Sequence, residues 1–216
     1  MKRLSRTPAR FAALAALLTV SIGAQAYETN FEIVPIVGYR FGGQLHDSSV
    51  DESRDIDPNL SYGLALNFAK TWETQWELTY SRQSTTIESL AGAAAPGAVD
   101  IVVEYLQFGG TYFYSEEDHE GAVPYVVGGL GLTHFKPSGP GLDDRYEPSI
   151  NLGIGLRVPL AKKVALRLEG RGYLTLMDTT GSIFCRSDAS GAACTIHARA
   201  SGLWQIEALF GIAFAL

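Results

Sequence analysis

The sequence predicts an all-β protein, an eight-stranded antiparallel up-and-down transmembrane β-barrel. Three observations lead to this prediction. Eight segments alternate between apolar side chains and small or polar ones with a period of two. Most of these segments have about ten residues, the length that a tilted strand needs to cross a bilayer. The connections between the segments alternate between long and short, as they do in barrels that span a membrane.

The N-terminus has the three parts of a secretory signal peptide. Basic residues come first, an apolar run from Phe11 to Ile22 follows, and the small-residue triplet Ala24-Gln25-Ala26 ends the segment. The apolar run is shorter than the roughly 20 residues that a membrane-spanning helix needs. We therefore expect residues 1–26 to be a signal peptide removed on export, and residues 27–216 to form the outer-membrane β-barrel domain.

Composition and charge restrict the class of protein. Hydrophobic residues make up 46% of the chain and charged residues 19%, yet residues 27–216 contain no continuous apolar run long enough for a spanning helix. Any membrane span must therefore consist of strands. Removal of residues 1–26 takes away four basic residues and no acidic ones, which brings the net charge from −6 to near −10. This acidic balance argues against nucleic acid as a partner.

The first four segments place large apolar side chains at every second position. Residues 31–42 do so despite Pro35, which is better tolerated near an edge or a bulge. Residues 60–69 alternate leucine, tyrosine and phenylalanine with serine, glycine and alanine, and residues 76–81 alternate tryptophan, leucine and tyrosine with polar residues. Residues 106–114 continue the pattern, but Glu104 just before them falls on the apolar face. The register of this fourth segment therefore stays open.

The last four segments follow the same rule. Residues 126–133 set valine and leucine against glycine and threonine, again with an open register. Residues 150–158 and 164–174 show the clearest alternation, and residues 204–216 continue theirs to the last residue. Long connections at 43–59, 84–100, 136–147 and 178–202 alternate with short ones at 70–74, 115–121 and 159–163. Because the N-terminus enters from the periplasm, the four long connections all face outward.

The second face of the segments distinguishes a lipid-facing barrel from a soluble periplasmic barrel or sandwich. A face in water should be rich in lysine, glutamate and threonine, whereas this face is dominated by glycine, alanine and asparagine with a few charges. Such a face suits the narrow lumen of eight strands. The charges are matched in number, so we expect a neutral lumen network held by salt bridges. Its members are Arg40, Arg157, Arg167 and Arg171 with Glu32, Glu77, Glu169 and Glu207. Aromatic residues at segment ends predict two girdles at the membrane interfaces.

The last segment resembles the C-terminal targeting strand of outer-membrane barrels. Its hydrophobic positions Phe210, Ile212, Phe214 and Leu216 form the motif, although the family usually ends in phenylalanine. The glycine-rich stretches at 128–132 and 151–157 resemble the small-barrel family that includes the OmpA transmembrane domain, OmpX and OmpW. We expect the protein to lie in the Gram-negative outer membrane and to be a monomer, although the sequence leaves its oligomeric state open. Its partners would be the barrel-assembly machinery, outer-membrane lipid and lipopolysaccharide.

Two further patterns suggest local chemistry in the outer connections. Cys185 and Cys194 enclose a small polar loop of an exported chain, which predicts a disulfide; a zinc or redox site would need CxxC spacing and further ligands. The first outer connection is acidic and either is simply solvated or holds a divalent cation, alone or against lipopolysaccharide. Its carboxylates lack the glycine and the terminal glutamate of a calcium loop, and Arg54 interrupts them. We expect no catalytic residue, cofactor or metal.

Three functions remain open on the sequence. The favoured one is a non-enzymatic outer-membrane barrel with a structural, adhesion or interaction role through four extracellular loops. The second is a narrow conduit for small or apolar solutes, of the OmpW type. The third is a lipid A-modifying barrel enzyme, because His46-Asp47-Ser48 is superficially similar to the His-x-Ser pair of PagL-type deacylases. That pair should lie on a strand beside an orienting acid, whereas here it falls in an unpatterned loop.

Overall fold

The computed structural model describes residues 31–47, 52–71, 73–88, 98–114, 121–138, 143–177, 183–188, 191–196 and 202–216. Among these residues, no helix is long and apolar enough to span a membrane. The strands are β1 (Phe31–Gly42), β2 (Gln44–Asp47), β3 (Glu52–Asp55), β4 (Asn59–Ala69), β5 (Thr74–Glu88), β6 (Ala98–Phe113), β7 (Val123–Pro137), β8 (Arg145–Ala161), β9 (Val164–Thr175), β10 (Ile183–Asp188), β11 (Gly191–Ile196) and β12 (Leu203–Ala215). The predicted signal peptide lies outside the described residues.

Eight of these strands, β1, β4 to β9 and β12, form a closed barrel. Each pairs antiparallel with its neighbours in chain order, and β12 pairs with β1 to close the barrel. Arg40 lies opposite Glu207 across this closing ladder. A tight turn joins β4 to β5, in which the Lys70 amide donates to the Thr74 carbonyl at 2.9 Å. The predicted fold class, an eight-stranded antiparallel up-and-down barrel, is confirmed.

The apolar face of the strands points outward. Leu152 and Ile154 on β8 are 73% and 70% exposed, whereas their neighbours Asn151 and Gly153 are buried. Exposed aromatic rings lie near both ends of the barrel strands, with Trp76 close to the β4–β5 turn and Trp204 at the outer end of β12. The registers that the sequence left open follow the same rule. Glu104 on β6 faces outward and pairs in the ladders with Arg82 and His134.

The predicted ends of two long connections are wrong. β5 continues to Glu88 and β6 begins at Ala98, inside the connection predicted at 84–100. Likewise β7 ends at Pro137 and β8 begins at Arg145, inside the one predicted at 136–147. Strands of 15 to 17 residues exceed the roughly 9–11 that a bilayer requires, so β5 to β8 extend beyond it on the outer side. There the outward side chains, such as Ser84 and Asp100, are polar.

The first and the last long connections contain strand structure that was predicted as loop. β2 and β3 form a hairpin within 43–59, and β10 and β11 form another within 178–202. The first connection is also tied to the barrel wall, because Ile56 forms an isolated β-bridge with Ile87 on β5. The Asp57 amide donates to the Thr86 carbonyl at 3.1 Å in the same place. The outer end of the barrel therefore carries an ordered extension.

Candidate functional site

The interior of the barrel gathers the charged residues that the sequence assigned to a lumen network. Strand alternation directs every second residue of eight strands into a narrow space, where charges without partners would be costly. Arg40, at the outer end of β1, and Glu207 of β12 are both fully buried. Nη2 of Arg40 lies 3.2 Å from both carboxylate oxygens of Glu207. Ser81 joins the pair: it accepts from Arg40, and its hydroxyl donates to Glu207 at 3.1 Å.

A second cluster, the charge network of Glu77, Arg167, Glu169 and Arg171, lies nearer the periplasmic end. Arg167 contacts Glu77 at 2.9 Å and Glu169 at 3.0 Å. Arg171 contacts the same two carboxylates, at 2.7 Å for Glu77 and 2.5 Å for Glu169. The Tyr125 hydroxyl donates to Glu169 at 2.8 Å and accepts from Nε of Arg167 at 3.1 Å. Two arginines and two glutamates thus form a closed, neutral ring of ion pairs.

The remaining two lumen charges pair with each other. Nη1 of Arg157 on β8 donates to Glu32 of β1 at 2.8 Å, and Nη2 donates to the other carboxylate oxygen at 2.5 Å. This pair is bidentate, the geometry that gives an arginine and a carboxylate their strongest contact. The structure therefore brings all eight predicted lumen charges into ion pairs inside the barrel.

Sequence reasoning missed an apolar cluster that fills the outer end of the interior. We call this cluster the outer plug, and none of its members is more than 7% exposed. The signal was present in the sequence, since all plug residues except Ile56 continue the inward phase of the strands as large apolar side chains rather than small ones. The members are Ile56, Ile87, Ile101, Val103, Tyr105, Phe135, Tyr173, Met177 and Leu203.

The periplasmic part of the interior is also filled. Val34, Ala65, Ala165 and Ala213 pack together between the strand ends. A cavity of about 10 Å³ lies beside Thr79 and the charge network, which is about the space of one water molecule. Among the described residues, side chains thus pack at the outer plug, around the charge network and near the periplasmic end of the interior.

A polar cluster interrupts the outward apolar face at Glu104. Its carboxylate accepts from the Tyr80 hydroxyl at 2.7 Å and from Arg82 at 3.0 Å, and Nδ1 of His134 lies 2.8 Å from it. Nε2 of His134 contacts Asp144 at 3.1 Å, and the His134 ring stacks on Tyr146 at 4.2 Å between centroids. Side chains of the neighbouring strands therefore provide hydrogen-bond and ion-pair partners for Glu104, the residue that interrupted the apolar pattern of the sequence.

The predicted disulfide and assembly signal fall on the last strands. The backbone register places Cys185 of β10 opposite Cys194 of β11. The disulfide itself stays a prediction. Phe210 and Phe214 are exposed on the outward face of β12, Ile212 is half-buried between them, and Leu216 is exposed just beyond the strand.

The residues considered for lipid A chemistry or cation binding lie in the first outer connection. His46 and Asp47 belong to β2, a short strand rather than the loop we expected, and Ser48 lies outside the described residues. Among the residues whose positions are described, no three histidine, cysteine, aspartate or glutamate side chains are grouped to hold a metal ion. The chemistry of this connection is therefore untested by the geometry.

Comparison with known proteins identifies the family. No curated protein sequence matches the chain significantly. Three solved barrels share its fold at low sequence identity. Neisserial surface protein A is 12% identical with a TM-score of 0.57, and the match covers 87% of this chain and 97% of that one. OprG from Pseudomonas aeruginosa is 10% identical with a TM-score of 0.54 and the same two coverages, 87% and 97%, and AlkL, solved in lipid bilayers, is 15% identical with a TM-score of 0.53 and coverages of 90% of this chain and 95% of that one.

A family model described as outer membrane protein beta-barrel domain matches residues 12–184, which is most of the chain. Together with the closed eight-stranded barrel, this match places the protein in the Gram-negative outer membrane. The chain belongs to the outer membrane protein β-barrel domain family.

Proposed function

We propose that the protein is a non-enzymatic, monomeric surface protein whose barrel is a sealed anchor for an extracellular interaction surface. The observation that carries this proposal is the outer plug. Nine buried residues close the outer end of the interior, and the ion-paired charges and small residues fill the rest. A barrel filled in this way gives little room to a solute. Its variable parts, where a function can reside, are the outer connections.

The ordered outer extension supports an interaction role. The Ile56–Ile87 bridge and the Asp57 amide hold the first connection against β5, so that a partner meets a partly preorganised surface. The same connection carries five carboxylates and a single arginine between residues 43 and 59. This charge favours cationic partners through long-range attraction. A structural, an adhesive or a binding role would each use this surface of the outer connections.

The lipid partner of the outer end is lipopolysaccharide. The side chain of Arg82 is 36% exposed, and Lys136 is exposed at the outer end of β7. Both lie beyond the outward leucine and tyrosine side chains, at the level of anionic headgroups. Cations near such a surface contribute roughly 1 kcal/mol each to attraction.

Single-channel recording in planar bilayers tests the sealed anchor. We expect purified protein to give no stable conductance, and liposomes that contain it to swell no faster in small sugars or hydrophobic solutes than empty ones. A matched variant, Ile101→Ala with Phe135→Ala, thins the plug while the charged layers remain. Steady conductance or solute uptake by the unmodified protein would contradict the sealed anchor and support the narrow conduit instead.

Surface binding forms the second part of the test. Cells that display the protein should retain a fluorescent polylysine probe more strongly than cells without it. The variant Asp51→Asn, Glu52→Gln, Asp55→Asn should lose this difference, with surface display checked by an antibody. Equal retention by both cell lines would contradict the acidic interaction surface, and altered lipid A in the displaying cells would contradict the non-enzymatic assignment.

A further inference from the structure

A groove of about 320 Å³ opens on the lipid-facing side of the barrel near the β4–β5 turn. Its volume falls within the range of small-molecule pockets, about 300–1,000 Å³. The groove follows from one row of cross-strand partners, in which Trp76 lies opposite Gly110, Gly110 opposite Gly128, and Gly128 opposite Leu152. Two positions without side chains thus stand between two large ones. Tyr112 forms a further part of the wall.

The two aromatic walls each carry a charged group at the periplasmic end. The Lys70 ammonium lies 5.5 Å from the Trp76 ring centroid. The Tyr112 hydroxyl donates to Glu73 at 3.5 Å. Within the part of the chain that the structure describes, Lys70 forms no ion pair, so its charge is open to a ligand. The groove therefore ends in one cation and one anion, on the side of the membrane where the short turns lie.

We propose that this groove binds one diacyl lipid with a phosphoethanolamine headgroup from the periplasmic leaflet. An acyl chain lies over Gly110 and Gly128, because an apolar groove in hydrocarbon gains dispersion contacts only when atoms fill it. The lipid phosphate pairs with Lys70, and the lipid ammonium pairs with Glu73. A phosphoethanolamine headgroup matches both charges, whereas the glycerol of a phosphatidylglycerol headgroup is uncharged and gives Glu73 no cation to pair with. The charges of Lys70 and Glu73 thus determine which lipid headgroup binds, and the apolar groove holds the acyl chain.

Native mass spectrometry of protein released from vesicles with equal phosphatidylethanolamine and phosphatidylglycerol tests the site. The unmodified protein should retain one phosphatidylethanolamine. Gly128→Leu fills the groove, and its Cβ meets Asn151 and Leu152 only at ordinary distances of 3.5 and 3.6 Å, so the backbone has room for the first carbon of the new side chain. Gly170→Leu is the matched control on the same lipid-facing surface, because a Cβ there meets nothing within 4 Å. The first variant should lose the lipid and the second should keep it.

Two headgroup variants separate the charges. Lys70→Gln should lower retention of both lipids by about fivefold, the value expected for one cation at an interface. Glu73→Gln should leave retention high but remove the preference for phosphatidylethanolamine. Heat-modifiable gel mobility confirms that each variant is folded. Equal retention of the two lipids by the unmodified protein, or retention by Gly128→Leu equal to that of Gly170→Leu, overturns the proposal. So does a dimer that only Gly128→Leu abolishes, because a second copy would then occupy the groove.

Discussion

The rings of Tyr105 and Tyr173 stack inside the barrel with centroids 4.1 Å apart. The guanidinium carbon of Arg40 lies 4.6 Å from the Tyr105 centroid and 5.3 Å from that of Tyr173. Both tyrosines belong to the outer plug, and Arg40 forms the buried ion pair with Glu207. The stack is therefore the junction between the apolar and the charged parts of the lumen. A desolvated cation–π contact of this kind contributes about 2 kcal/mol.

Arg40→Met should destabilise the barrel by about 3–5 kcal/mol, because it leaves the Glu207 carboxylate buried without its partner. Urea unfolding in lipid vesicles, followed by tryptophan fluorescence, measures the change. The double variant Arg40→Met, Glu207→Leu removes the stranded charge and should be close to the unmodified protein. If the double variant is as unstable as the single one, the tyrosine stack rather than the carboxylate accounts for the loss.

Gly131→Ala should reduce the yield of folded barrel. A Cβ at this inward position would lie 1.9 Å from the Leu106 carbonyl oxygen and 2.8 Å from Cα of Gln107, so β6 and β7 would have to separate. Gly170→Ala is the control, since its Cβ meets no atom within 4 Å. The measurement is the folded fraction on unheated gels after refolding into vesicles. Equal folded fractions for the two variants would show that the β6–β7 ladder adjusts freely.

The predicted Cys185–Cys194 disulfide should form in protein isolated from the outer membrane. Directly opposite residues of an antiparallel ladder have Cα atoms about 4.5–5.5 Å apart, within the range that disulfides span. Thiol alkylation should therefore add no label before reduction and two labels after it. The variant Cys185→Ser, Cys194→Ser should speed protease cleavage of the fourth outer connection by opening a hairpin that the bridge stabilises by about 2–3 kcal/mol. Full labelling without reduction would exclude the bridge.

Leu216→Phe should accelerate assembly of the barrel in reconstituted assembly machinery. The resemblance of the last strand to outer-membrane targeting strands implies a terminal phenylalanine, and Leu216 departs from it. Its amide donates to the Phe31 carbonyl at 3.1 Å, so the residue also helps to close the barrel. Leu216→Ala is the matched variant and should slow assembly. Identical assembly rates for the unmodified protein and the two variants would show that the assembly machinery recognises another part of the chain.

The alternation rule predicted the membrane part of the fold because lipid imposes one polarity on one face. Leu64, Leu152 and Phe210 had to face outward, and the pairing of β12 with β1 followed from eight strands. The same rule failed beyond the bilayer. Where water replaces lipid, Ser84 and Thr86 face outward and Ile87 and Ile101 face inward, so the apolar phase is inverted. Because the prediction required apolar residues on the outward face, it assigned these segments to loops.

The candidate site was predictable in composition but not in arrangement. The equal numbers of arginine and glutamate indicated a neutral interior. Which charge pairs with which depends on strand tilt and register, and no local pattern in the sequence encodes the meeting of Glu77 with Arg171, 94 positions away. The groove at Gly110 and Gly128 was likewise hidden, because it exists only where two strands bring their glycines side by side.

The outer plug also affects how many copies of the protein a cell can carry. The outer membrane excludes toxic compounds only as long as its pores are few and narrow, so each open channel adds to leakage. Under the sealed anchor that we propose, a barrel closed by Ile101, Phe135 and their neighbours adds none. A cell could then display such a protein densely and attach to a surface through many copies without loss of the permeability barrier.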